Sequence, residues 1–251
     1  MKKIVQSLLL TGLVAASPML AQAAEPVSPH TLTGNIALTS DYVFRGISQT
    51  QNGPAIQGGF DYAHASGFYL GTWGSNVDWV SQGYKTNNSM EIDLYGGYKT
   101  TLGPIGLDLG VITYYYPGDK IPGVASPDTT EVYVGGSWKF LSLKYSHVVS
   151  KNFIGWVGTG GADTRNSQYL ELNANYDLGS GWGLIGHVGH QKVKNLGGAD
   201  YTDWKAGVSK DVGFGVLTVA YTDTDADSAF YTLGGEDIGK GRAFVSFSKT
   251  F

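Results

Sequence analysis

From residue 31 to Phe251 the chain repeatedly alternates apolar and polar side chains, and nothing else constrains its fold more tightly. A period of two is the mark of a strand with two unlike faces. Leu32, Gly34, Ile36 and Leu38 make the first apolar row, Ile56, Gly58, Phe60 and Tyr62 the second, and Phe68, Leu70 and Thr72 the third. Rows over 90–98, 107–115, 132–138, 141–145, 170–176, 182–188, 204–208, 217–221 and 243–251 repeat the pattern. The count is about twelve, an even number, and most segments approach the 9–11 residues that a strand tilted by about 45° needs to cross a bilayer.

The connectors add an independent pattern, because short and long ones alternate. The short ones fall at 64–67, 100–106, 139–140, 177–181 and 211–215; the long ones, rich in Gly, Asn, Asp and Thr, fall near 47–54, 77–88, 117–128, 150–167, 192–200 and 225–240. This is the asymmetry between the two ends of an outer-membrane barrel. Closing the sheet satisfies every backbone donor and acceptor within hydrocarbon, which an open sheet cannot do. The expected fold is all-β, a transmembrane antiparallel up-and-down β-barrel of about twelve strands, occupying 24–251 as one domain.

The beginning of the chain agrees with that compartment. Lys2 and Lys3, the apolar stretch from Ile4 to Val14, and Ala21-Gln22-Ala23 read as a signal peptide over 1–23, cleaved after Ala23. Without the two lysines, the 17 basic residues fall to 15 against 21 acidic ones, a formal charge of −6. An acidic mature chain argues against a nucleic-acid partner. There are no cysteines, so stability has to come without disulfides or thiolate-bound metal. After the signal, no apolar run approaches the length of a membrane-spanning helix. Aromatic residues are nearly as frequent as charged ones, 13% against 15%, and Tyr and Trp suit the two membrane interfaces.

The segment Leu38-Thr39-Ser40-Asp41-Tyr42-Val43-Phe44-Arg45-Gly46-Ile47-Ser48-Gln49-Thr50 resembles the opening signature of the TorF family of porins. Residues 54–63 and 66–77 are similar to that family's second and third segments. The specific likeness covers 38–77, with a looser one onward. It implies a Gram-negative outer-membrane barrel and a porin, with no particular solute and no catalytic residue. Implied partners are the lipid of the cell outer membrane, the barrel-assembly machinery and small hydrophilic solutes or ions. Phe247 and Phe251 are the expected assembly signal. Lys249 departs from the apolar residue usual there, and near the rim it can snorkel to the headgroups at about 0–1 kcal/mol.

By strand parity the interior contains Arg45, Glu91, Asp93, Asp108, Glu131, Lys144, Glu171, His187, Asp203, Lys205 and Arg242. Inward charges are tolerated when water or opposite charges meet them. Two arrangements do this: an aqueous channel whose field selects solutes, with the acidic excess favouring cations, or a salt-bridged plug that conducts little. Twelve strands lie between filled eight-stranded barrels and open ones of sixteen. Read as one strand, Asp41 and Arg45 share a face about 13 Å apart. Arg45 is then placed to meet Glu91, Asp61 or another carboxylate of a neighbouring strand, as a constriction or as an ordinary luminal ion pair.

Two alternatives come from other classes. A membrane hydrolase would need a nucleophile and base on one face, and Ser146 and His147, being adjacent on a strand, point to opposite sides. No Gly-x-Ser-x-Gly elbow is present, so no catalytic residue is assigned and the protein is read as no enzyme. His64, His147, His187 and His190 are scattered without ligand spacing, so neither metal nor cofactor is expected. The other alternative is a non-conducting barrel acting as a loop-based receptor. Loop 150–167 suits it best, since Phe153, Ile154, Trp156 and Val157 can bind a partner, fold inward, or touch lipid and neighbouring loops.

Overall fold

A computed structural model describes residues 28–251; the signal segment 1–23 and its cleavage position lie outside the described residues. Twelve long strands form one closed barrel: β1 (His30–Thr39), β2 (Ala55–His64), β3 (Phe68–Asn76), β4 (Met90–Leu102), β5 (Ile105–Tyr115), β6 (Thr129–Trp138), β7 (Leu141–Val148), β8 (Gln168–Gly179), β9 (Trp182–Lys192), β10 (Tyr201–Asp211), β11 (Val216–Thr224) and β12 (Arg242–Thr250). Every strand pairs antiparallel with the next, and β12 returns to β1 from Asn35↔Thr250 to Thr39↔Ser246.

The register keeps each apolar row on one face around the whole ring. Leu38 pairs with Ile56 and Phe247, Leu94 with Thr113, Leu109 with Val134, Val188 with Trp204, and Val219 with Val245. A slip of one residue at any junction would put charges on the outer wall. Outside, Leu32, Phe60, Leu70, Leu94 and Leu109 are exposed, while Glu91, Asp93, Glu131, Glu171 and Asp203 are buried within. That inversion suits a barrel whose outer solvent is lipid and whose polar groups satisfy one another inside. Among the described residues no helix is long and apolar enough to cross a membrane.

Short turns close one end. Ser180 (φ 53°) and Gly181 (φ 78°) are both left-handed, the two-residue turn whose twist matches antiparallel strands. The strands run further into these turns than the alternation suggests: β4 pairs out to Leu102↔Ile105, leaving only Gly103 and Pro104 where 100–106 was expected as connector. Around Asp177 and Gly179 a bulge shifts the register.

The long connectors pack together at the other end. Ile47, Val148, Phe153, Val193, Ala199, Tyr201, Tyr231 and Ile238 form one buried cluster, and Val77, Val80, Tyr114 and Tyr116 another. They include the helices α1 (Trp79–Tyr84) and α2 (Ser228–Tyr231). Of the roles the sequence leaves open for Phe153 and Trp156 (a partner, an inward fold, lipid or neighbouring loops), the structure shows loop packing: Phe153 is 1% exposed and Trp156 lies against Phe230 and Tyr231. The mouth of the barrel is therefore roofed by loops with a small core of their own.

Candidate functional site

The first loop, 40–54, begins earlier than the alternation suggests, because Ser40 and Asp41 leave the strand. Its root is held by Ser40 N–H donating to Val245 O and Val245 N–H donating to Ser40 Oγ. Asp41 organises the loop, accepting from Ser48 Oγ (2.6 Å), Thr50 Oγ1 (3.1 Å) and Arg242 Nη1 (3.4 Å). Burial pushes the Asp41 carboxyl above its ordinary range, against the pull of these donors. The expectation that Asp41 and Arg45 share a strand face fails here, since these contacts fold the segment back on itself.

Within that loop Val43–Phe44 pairs with Ile47–Ser48 as a tiny hairpin, turned at Arg45 (φ 48°) and Gly46 (φ 78°). The tip enters the barrel. Gly46 sits so close to Thr224 and Asp203 that a Cβ there would overlap both. Arg45 reaches across to β6, where Nη1 meets Glu131 Oε1 at 3.0 Å and Nη2 meets Oε2 at 2.6 Å; Nη1 also donates to Gln191 Oε1 at 2.9 Å on β9. Its guanidinium lies 4.3 Å from the Tyr169 ring centroid and 4.8 Å from that of Phe44. Side-chain exposure of Arg45 and Glu131 is 6% and 1%, so this is a fork-to-fork pair in a dry setting. The luminal ion pair expected of Arg45 is thus made with Glu131, and not with Glu91 or Asp61. Glu91 accepts from Tyr42 Oη at 2.7 Å, and Asp61 from Tyr95 Oη at 2.5 Å.

A cavity of about 190 Å³ runs from this hairpin to Thr33 and Thr250 near the short-turn end. One wall, on β7 to β10, is a continuous polar chain. Lys144 Nζ is 3.2 Å from Glu171 Oε1, Asn173 Nδ2 donates to Glu171 Oε2 (2.9 Å), and His187 links Asn173 (2.7 Å) to Asp203 (2.8 Å). Tyr169 Oη donates to Asp203 Oδ2 at 2.8 Å beneath the Arg45 guanidinium. The second wall, on β2 to β6, mixes acids and phenols: Tyr69 Oη donates to Asp108 (2.7 Å) and touches Tyr133 Oη, with Lys99 3.9 Å from Asp108. The third, on β11, β12 and β1, presents the uncharged Thr218, Thr222, Ser246, Ser248, Asn35 and Thr39, with Lys249 of β12 beside them.

Of the eleven residues assigned inward by parity, Arg45, Asp93, Asp108, Lys144, Glu171, His187, Asp203 and Lys205 border the cavity. Glu91 and Glu131 are interior but sealed, each 1% exposed. Arg242 sits at the root of the first loop, on Asp41 and Asn52 (2.6 Å). Asp61, inward by the same parity, lines the interior with Tyr95 and Tyr133, and so do Lys99 and Tyr69, whose positions beside Tyr98 and Leu70 mark them as inward. Ser146 is buried, while the neighbouring His147 contacts Tyr145 and Asn166. Among the described residues no group of His, Cys, Asp or Glu is placed to hold a metal ion.

A family model described as "Bacterial protein of unknown function (Gcw_chp)" matches residues 23–251. The chain belongs to the Gcw_chp family. No curated protein matches its sequence. Among solved structures this Gcw_chp chain is similar to the KdgM porin (TM-score 0.54, 10% identity, 87% of this chain and 99% of that one). It is likewise similar to the NanC porin (TM-score 0.55, 11% identity, 88% and 99%). A KdgM porin "in complex with disordered oligogalacturonate" aligns with TM-score 0.53 and 10% identity over 88% and 99%. At these identities the likeness establishes a shared barrel architecture.

Proposed function

We propose that this protein is a porin of the Gram-negative outer membrane, passing small hydrophilic solutes or ions by diffusion, with cations favoured. The observation that carries this is the interior itself: a closed barrel whose outer wall is apolar encloses a cavity bordered by charged and hydroxyl side chains along its length. The architecture shared with the KdgM and NanC porins and the TorF-like segments over 38–77 support the same function and compartment.

The lining is nearly balanced, six carboxylates (Asp41, Asp61, Asp93, Asp108, Glu171 and Asp203) against five cations (Arg45, Lys99, Lys144, Lys205 and Lys249), so the preference for cations is weak. The first loop narrows the passage at Arg45, which serves as a constriction. Phe251 and Phe247, at the end of the last strand, are the features offered to the assembly machinery, and the outer rows contact lipid. With Phe153 and Trp156 committed to the loop core, loop 150–167 has little apolar surface left for a receptor role. No enzymatic chemistry is assigned.

The test is single-channel current and reversal potential of the refolded barrel in a planar bilayer under a salt gradient, with heat-modifiable gel mobility as the folding control. Discrete steps with a cation-leaning potential are expected. A folded barrel that carries no current at any voltage overturns the proposal.

A further inference from the structure

One arc of the outer wall is basic. Where β1, β2, β4 and β5 reach the long-loop end, the outward residues are Leu38, Ile56, Met90 and Tyr115, all exposed. The corresponding ends of β7 to β9 differ. Leu143, Leu172 and Val188 stand side by side as an exposed apolar level. Two residues nearer the loops the level reads Tyr145, Leu170 and His190, and the next reads His147, Gln168 and Lys192. His147 and Lys192 flank Gln168 on its two sides, so their backbones are two strand spacings apart, about 10 Å. His190 lies one level below Lys192 on β9, about 7 Å along the strand.

The connectors above this arc extend it. His147 Nε2 meets Asn166 Oδ1 at 3.0 Å, Lys194 N–H donates to Ser167 Oγ at 3.0 Å, and Asn195 Nδ2 donates to Asp163 O at 2.9 Å. These bonds join loop 150–167 to connector 192–200 directly over the strand ends. Residues 147–166 and 190–194 thereby bring together Lys151, Arg165, Lys192 and Lys194, all exposed, against a single carboxylate, Asp163. Among the described residues none of the four cations is in an ion pair. Lys120, the cation over Tyr115 on β5, contrasts with them, because Asp128 holds it at 2.6 Å. Around the ring at β11 the sign reverses, at Asp223 and Asp225.

The apolar level faces acyl chains, so the two levels above it stand at headgroup depth, where Lys and Arg on a membrane protein attract lipid phosphate. We infer that the β7–β9 rim docks a phosphorylated glycolipid of the outer leaflet, of the diphosphorylated lipid A type. Its acyl chains lie on Leu143, Leu172 and Val188; one phosphate sits over Gln168 between His147 and Lys192, and Arg165 and Lys194 face the rest of the headgroup. A basic surface two strand spacings wide that continues upward into two loops is broader than a single glycerophosphate headgroup and complements one with two phosphates. The inference goes beyond conduction and needs only the outer-membrane setting with the long loops outside.

The experiment is native mass spectrometry of the refolded full barrel in detergent, titrated with diphosphorylated lipid A, chemically dephosphorylated lipid A or phosphatidylglycerol, and separately with inorganic phosphate. Diphosphorylated lipid A is expected to bind at least tenfold more tightly than either other lipid. A basic side chain at a membrane surface contributes about fivefold to such binding, so Lys192→Gln combined with Arg165→Gln should lose at least tenfold. Lys210→Gln, at the short-turn end where Lys210 Nζ donates to Ser180 O, should bind as wild type does. Heat-modifiable mobility checks each fold, and Lys194→Gln alone, in a connector, keeps the test open with a loss of about fivefold if the double variant does not refold. Equal binding of the dephosphorylated lipid overturns the inference, as does wild-type affinity in the folded double variant. Saturable binding of inorganic phosphate that is lost in Lys192→Gln assigns the patch to a soluble anion and overturns it too.

Discussion

Replacing Arg45 by alanine should undock the first loop and widen the passage. The substitution removes both hydrogen bonds to Glu131 (3.0 and 2.6 Å) and the stacking on Tyr169 at 4.3 Å, and leaves a carboxylate that is 1% exposed without a counter-charge. Breaking a buried pair from one side costs about 3–5 kcal/mol, or roughly two to four powers of ten in the docked-to-undocked ratio. The hairpin contributes only two paired residues on each side, and what remains to oppose release is Phe44 on Tyr114, Ile47 in the loop core and the Ser48 N–H bond to Ile238 O. Single-channel conductance should rise, and the amides of 43–48 should exchange with solvent at least a hundredfold faster. In Arg45→Ala with Glu131→Gln, the stranded charge is gone and much of the protection should return. Equal conductance and equal exchange in wild type and Arg45→Ala would refute the latch.

Other substitutions probe the same frame. Gly46→Val forces a branched residue into φ 78° against Thr224 and Asp203, and proteolysis of the first loop should become faster. Because burial raises the Asp41 carboxyl above its unfolded value of 3.8, the folded loop binds that proton more tightly than the unfolded loop. The contribution is complete below pH 3.8 and is lost as pH rises through the folded value, so loop protection should be greater at pH 4 than at pH 7, and the difference should vanish in Asp41→Asn. Lys144→Met strands Glu171 and should destabilise the barrel by about 3–5 kcal/mol in urea unfolding, most of it recovered by adding Glu171→Gln. Asp93→Asn, at the cavity, should shift the reversal potential away from cation preference more than Glu91→Gln, whose site Tyr42 seals; equal shifts would contradict that order.

The barrel was legible because a strand's two faces obey a strict period and lipid keeps the outer one apolar. All twelve apolar rows lie on the outer wall, and the same parity places Glu171, His187 and Asp203 together inside. Lys99 carries that signal too, next to outward Tyr98 and directly across the ladder from Asp108. The inward course of the first loop leaves no such trace. Arg45 and Glu131 are 86 positions apart, and their meeting depends on the width of the closed ring and on a hairpin only two residues deep, neither of which has a periodicity. The partners of the loop core are hidden for a related reason: loop packing is one expectation for Phe153 and Trp156, but Ile47 and Tyr231 from other loops and Tyr201 at the start of β10 are brought to them by tertiary structure alone.

The seam between β1 and β12 is the junction where neighbours in space are farthest apart along the chain. It has five partnered positions against ten between β1 and β2. Just above it, Ser48 N–H donates to Ile238 O, Gln51 Nε2 to Leu233 O, and Arg242 grips Asp41 and Asn52. The first and last loops thus clasp each other over the shortest stretch of wall. A newly inserted chain whose two ends have not yet met would lack both the final strand pairing and the clasp that seats the plug, so zipping the cylinder and stoppering it become a single maturation event, and a half-finished barrel leaks at its side and its mouth together.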